Sequence, residues 1–215
     1  MLSPRPVRAL VACAAAVVLG ALPAAAAAAP ATGAPGSARS AVRSLPLPPI
    51  GAEILSSMLA TDSLFEYGGT SYTVDFRGGI GQRVDVDPDD PVNSVRLRTV
   101  GFRISAELPG GGRVTLEQSD FDVDPKSVLR LASRVPPAFD ENDVIPVSAT
   151  VELPGREPAV LTGVEPLRLS VTGLSRYPAK GDPYLMDRVL DFAHPDRPGT
   201  HAARLVTFDS ERDAL

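Results

Sequence analysis

The only imidazoles of this 215-residue chain fall in one short segment, His194-Pro195-Asp196-Arg197-Pro198-Gly199-Thr200-His201. Two imidazoles with Asp196 between them could ligate a metal, or one could act as a general base. Such a site needs its groups held rigidly. The segment carries two prolines and no strand or helix periodicity, so it reads as an exposed loop. A small His/Asp catalytic site built on His194, His201 and Asp196 is the alternative. Asp182, Asp187 and Asp191 are near in sequence but mark no pair.

Carboxylates recur at alternate positions in Asp85, Asp87 and Asp89, and again in Asp120, Asp122 and Asp124. Alternating acids can wrap hard oxygen ligands around a divalent cation, but the EF-hand loop also needs Gly at its sixth place and Glu at its twelfth. The first run has Asp90 and Arg96 there, the second Pro125 and Leu131. Both are expected to be solvated acidic faces, with Asp85, Asp87 and Asp89 as the alternative metal ligands.

Aromatic platforms that stack on sugars are built mostly from Trp and Tyr. The chain has no Trp and four Tyr. Tyr177 and Tyr184 flank Pro178-Ala179-Lys180-Gly181-Asp182-Pro183 and could offer two rings to a ligand. Packing against the rim of the fold is the plainer expectation. No Gly-x-Ser-x-Gly elbow, His-Glu-x-x-His helix or phosphate-binding loop before a Lys occurs, and no motif implies a cofactor.

Residues 1–29 have the three parts of a secretory leader: Arg5 and Arg8, an apolar stretch from Ala9 to Leu22, and an Ala-rich end. Cys13, the single cysteine, would leave with it, so the exported chain could form no disulfide. Only Ala9 to Ala12 precede that cysteine, too short an apolar run for a lipoprotein signal. Removing the leader takes two basic residues and no acid from 21 basic and 26 acidic ones, moving the net charge from −5 to −7. An acidic chain without a basic cluster argues against nucleic acid, and against membrane insertion once the leader is gone. Abundant Ala, Arg and Pro beside two Lys point to a GC-rich bacterial source.

Residues 30–49, rich in Ala, Pro, Gly and Ser, read as a flexible linker. Residues 50–215 read as one domain. Eighteen Gly and 22 Pro exceed the usual ~12% share and favour short strands joined by turns. Ile50, Ile54, Leu55, Met58 and Leu59 recur at helical spacing, predicting a short helix near 51–60. Beyond it the period is two: Tyr72, Val74 and Phe76; Val84 and Val86; Val95 and Leu97. The phase then slips to Val100, Phe102, Ile104, Ala106 and Leu108, which calls for a bulge beside Gly101. Gly68-Gly69, Gly78-Gly79-Ile80-Gly81 and Gly110-Gly111-Gly112 read as turns. Ile145, Val147, Ala149, Val151 and Leu153 alternate as one strand, Leu167, Leu169 and Val171 as another, and the last strand uses either Leu205 and Thr207 or Val206 and Phe208.

Eight or nine strands of this kind suit a single antiparallel β-sandwich with one short N-terminal helix, or alternatively a closed β-barrel. The leading expectation is an exported, non-enzymatic binding or structural module with an unknown extracellular partner or ligand. A small secreted enzyme and a barrel carrying an apolar small molecule are the alternatives.

Overall fold

The computed structural model describes residues 47–120 and 127–215. The expected leader, most of the expected linker, and Asp122 and Asp124 lie outside them. Among the described residues the fold is all-β and antiparallel, as expected. Its thirteen strands are β1 (Glu53–Tyr67), β2 (Thr70–Val86), β3 (Ser94–Leu108), β4 (Gly112–Gln118), β5 (Ser127–Arg134), β6 (Pro137–Ile145), β7 (Val147–Glu152), β8 (Ala159–Gly163), β9 (Leu167–Leu174), β10 (Lys180–Met186), β11 (Leu190–His194), β12 (Arg197–Thr207) and β13 (Ser210–Ala214).

They form one sheet in the order β12-β11-β8-β7-β4-β3-β2-β1-β13-β10-β9-β6-β5, and β12–β1 and β3–β5 pair in addition. Those two extra pairings turn the sheet back on itself twice. A first ring runs β1-β2-β3-β4-β7-β8-β11-β12 and a second runs β1-β2-β3-β5-β6-β9-β10-β13. The long strands β1, β2 and β3 belong to both. β1 gives Leu64–Tyr67 to β12 and Ser56–Leu59 to β13. β3 gives Arg103–Leu108 to β4 and Ser94–Leu97 to β5. Closing a sheet in this way leaves few free edges to recruit another chain.

Two irregularities fall where the rings part. The β2–β3 register shifts beside Gly81, where Gly81 faces Gly101 and Gln82 faces Thr99, leaving Val100 as the extra residue. This is the bulge required by the phase slip, and it turns Val95, Leu97, Phe102 and Ile104 all inward. β1 bulges between Ala60 and Ser63, with Asp62 in the left-handed region at φ 51° and its N–H donating to Asp75 Oδ1 at 3.1 Å.

Several local expectations are corrected. Residues 51–60 are not helical: β1 buries Ile54, Ser56, Met58 and Ala60 at period two and leaves Leu55 56% exposed. The helical spacing arose because apolar residues stand on both faces while a serine takes an inward place. Gly68-Gly69 and Gly110-Gly111 do form turns, at positive φ. Gly78-Gly79-Ile80-Gly81 instead lies inside the unbroken strand β2. A Cβ at Gly78 would stand 2.1 Å from the Arg103 carbonyl oxygen, and one at Gly79 would stand 2.8 Å from that of Ser56. These glycines let β3 and β1 close on β2. The alternating run from Ile145 to Leu153 is divided at Pro146 between β6 and β7, and the last expected strand uses the Leu205 phase. Pro lacks the N–H that would continue a ladder.

The core is one contiguous cluster. Phe65, Phe76, Leu116, Leu161 and Phe192 are buried from strands of the first ring, and Leu129, Ile145, Leu167 and Leu169 from strands of the second.

Candidate functional site

The second ring places charge where a core would be expected. β6 turns Phe139, Glu141, Asp143 and Ile145 inward, and β13 turns Ser210 and Arg212 inward. Glu141, Asp143 and Arg212 are 0%, 1% and 2% exposed. Arg212 Nη1 donates to Glu141 Oε1 at 3.1 Å, and Arg212 Nη2 donates to Asp143 Oδ2. Gln82 Nε2, from β2, donates to Asp143 Oδ1 at 2.8 Å and to Glu141 Oε1 at 3.4 Å. The Tyr184 hydroxyl, from β10, meets Glu141 Oε2 at 2.5 Å, and the Arg212 guanidinium lies 3.9 Å from the Tyr184 ring centre. Tyr177 O–H donates to Gln82 Oε1 at 3.4 Å. β2, β6 and β13 are not neighbours in the sheet, so these bonds cross the interior of the ring.

Two carboxylates share one guanidinium here. Burial pushes the Glu141 carboxyl up to about 7, with the Asp143 charge adding to the shift; Arg212, Tyr184 and Gln82 oppose it. Burial disfavours the Arg212 charge, but Asp143 and Glu141 outweigh it and hold the guanidinium above its ordinary value. The Tyr184 and Tyr177 hydroxyls are both raised, first by burial and next by Glu141. The two tyrosines expected at a ligand-facing loop or rim therefore point elsewhere. Tyr184 is a buried β10 residue, and Tyr177 reaches the same network from the β9–β10 connection.

The histidines are on strands, not in a loop. His194 closes β11 and His201 lies on β12, with Pro195 and Asp196 in the hairpin turn between them. They do not converge. His201 Nδ1 is 3.3 Å from Asp191 Oδ2, so Asp191, and not Asp196, is its partner. Arg204 Nε donates to the other oxygen of Asp191 at 2.7 Å, and that carboxylate holds the Arg204 pKa up. Cross-strand register sets Ser71, Glu66, Arg204 and Asp191 in a row over β2, β1, β12 and β11. The Ser71 hydroxyl donates to Glu66 Oε1 at 3.2 Å. The row lines an open groove of about 280 Å³ that includes His201 and the Gly68-Gly69 turn but not His194. The groove joins a carboxylate-oriented imidazole to a serine hydroxyl that is directed toward another acid.

The first acidic run is matched by arginines of the adjacent strand. Arg98 Nε donates to Asp85 Oδ2 at 2.9 Å, Arg96 Nε to Asp87 Oδ1 at 2.9 Å, and Arg96 Nη2 to Asp89 Oδ2 at 2.6 Å. Asp87 also accepts from Ser94 Oγ at 2.5 Å and is itself buried, which corrects the solvated-face expectation for that residue. Burial works against its charge, but Ser94, Arg96 and the Asp89 N–H prevail and lower its pKa. Among the described residues no group of three metal-ligating side chains is gathered.

Glu141, Asp143, Arg212 and Gln82 were not singled out by sequence reasoning. A signal existed: Glu141 and Asp143 share the alternating phase of Phe139 and Ile145, so two acids occupy inward places of a strand.

No protein-family description and no curated protein matches the chain. The chain is similar to the solved structure of DynF from the dynemicin biosynthesis pathway of Micromonospora chersina. The likeness covers 77% of this chain and 81% of that one at 18% identity, with a TM-score of 0.56. At that identity the likeness is one of fold.

Proposed function

We propose that the chain is an exported, non-enzymatic β-protein that acts as a binding module outside the cytoplasm. One observation carries the non-enzymatic part: the acid–base groups in the second ring are sealed inside, bonded to one another, and nearly unexposed. A substrate needs contact with a catalytic group, and these groups are in contact with protein. The groove beside Asp191, His201 and Arg204 is the surface best suited to a ligand, since it is concave and carries groups of both signs. Export rests on the charged, apolar and Ala-rich parts of residues 1–29. Mass spectrometry of culture supernatant is the test. A chain beginning near Ala28 to Pro30, without lipid, is expected, and an intact Met1 terminus confined to cells would refute export.

A second reading, a small secreted enzyme with a His/Asp site, is favoured by the 3.3 Å Asp191–His201 contact at the groove. It places the general base at His201 and leaves out His194 and Asp196. Loss of turnover in His201→Ala would establish it.

A further inference from the structure

The second ring has one narrow seam. β9 and β10 pair at Ser170–Leu185 and Leu169–Met186, continued by the Asp187 N–H to the Arg168 carbonyl at 3.1 Å and the Ser170 hydroxyl to Asp187 Oδ1 at 2.7 Å, whereas β6 and β9 pair at six positions. The buried network lies across that seam: Arg212 and Tyr184 come from β13 and β10 on one side, and Glu141 and Asp143 from β6 on the other. Tyr177 belongs to the connection that joins the two seam strands. Inside the ring, the buried polar side chains on the two sides of the seam are mostly ionisable ones.

We propose that this cluster is a proton-operated latch, in which a proton on the Glu141 carboxyl keeps the β9–β10 seam closed and its loss loosens the second ring there. The charge count gives the reason. With both carboxylates ionised, a single guanidinium leaves one negative charge uncompensated in a dry interior, an arrangement that burial strongly disfavours. With one proton present the cluster is neutral. The groups facing Glu141 are Asp143 on its own strand, Arg212 from β13, Tyr184 from β10, Gln82 from β2, and, through Gln82, Tyr177. The Tyr184 hydroxyl donates to Glu141 Oε2 at 2.5 Å, tying β10 to that carboxyl. The elevated Glu141 pKa, about 7, places the change near neutrality. A carboxyl raised in the folded state binds its proton more tightly there than in the unfolded chain. Its contribution is complete below about 4.5, the unfolded value, and is lost as pH rises through about 7.

The test uses the full domain at pH 5 to 8.5, with urea unfolding of wild type and Glu141→Gln and hydrogen exchange expressed as protection factors. The wild-type folding constant should fall with rising pH by up to about tenfold per unit below pH 7. Glu141→Gln should lose that slope. Protection in β9 and β10 should fall before protection in β4 and β7. A Gln variant that keeps the wild-type slope, or protection lost equally in both rings, would overturn the latch. If Glu141→Gln does not fold, carboxyl carbon NMR of wild type decides. A Glu141 resonance titrating near neutrality is expected, and one titrating with the surface carboxylates would overturn the proposal.

Discussion

Arg212 on β13 meets Glu141 on β6 at 3.1 Å, with β10 and β9 standing between their strands in the sheet. That contact spans the interior of the second ring, and Asp143 takes the other arm of the same guanidinium. Removing the cation would leave the ionised carboxylate of the pair buried without a counter-charge. Arg212→Met should therefore destabilise the domain by about 3–5 kcal/mol. Adding Asp143→Asn should recover part of that loss. Urea unfolding of the two variants checks both statements, and a strictly additive result would mean the residues act separately.

The shared strands make an equally definite prediction about space. Gly78 has no room for a methyl group against the Arg103 carbonyl, while a Cβ at Gly101 meets nothing within 4 Å. Gly78→Ala should destabilise by about 1–3 kcal/mol or more through overpacking. Gly101→Ala should be neutral or stabilise by up to about 1 kcal/mol, because it restricts the unfolded chain. Thermal unfolding of the pair measures the contrast.

Adjacent residues of β3 should differ in the same manner. Phe102 is 4% exposed in the core, and Arg103 projects outward to Glu117 at 3.0 Å. Phe102→Ala should cost about 3–5 kcal/mol. Arg103→Ala should cost no more than about 1 kcal/mol, as befits an exposed ion pair. Equal shifts in urea midpoint would show that the strand faces are misassigned.

The alternation around Phe102 and Ile104 was legible in the sequence, as was the need for a bulge beside Gly101, because a buried face imposes period two and a slip needs an extra residue; Val100, grouped with the inward residues, is instead that extra residue and is 42% exposed. β1 was not legible. Its outward Leu55 and inward Ser56 reverse the usual polarity and produce helical spacing by accident. The network was obscured for a related reason. Glu141, Asp143 and Arg212 resemble surface residues until the ring closure brings β6 and β13 face to face. Local sequence does not encode that closure, since the strands lie some 70 residues apart: Glu141 to Arg212 is a separation of 71.

Acid should act through a different carboxylate. Asp87 has a lowered pKa, with burial outweighed by Ser94, Arg96 and the Asp89 N–H. A depressed carboxyl contributes stability above its unfolded value, 3.8, and that contribution is lost as pH falls through the lower folded value. Wild type should thus lose more stability than Asp87→Asn when pH drops below about 4. Unfolding curves at pH 2.5 and 5 would show the difference, and parallel losses would mean that Asp87 is not favoured in its charged form.

A protein that binds and does not catalyse should show no turnover. The purified domain, wild type beside His201→Ala and a His194→Ala/His201→Ala double variant, would be assayed with ester, peptide and glycoside substrates. None of the three proteins should turn over any substrate, and the histidine changes should alter stability by no more than about 0.5 kcal/mol. Turnover by wild type that disappears in His201→Ala, while the fold persists, would contradict that expectation and make the Asp191–His201 groove an active site.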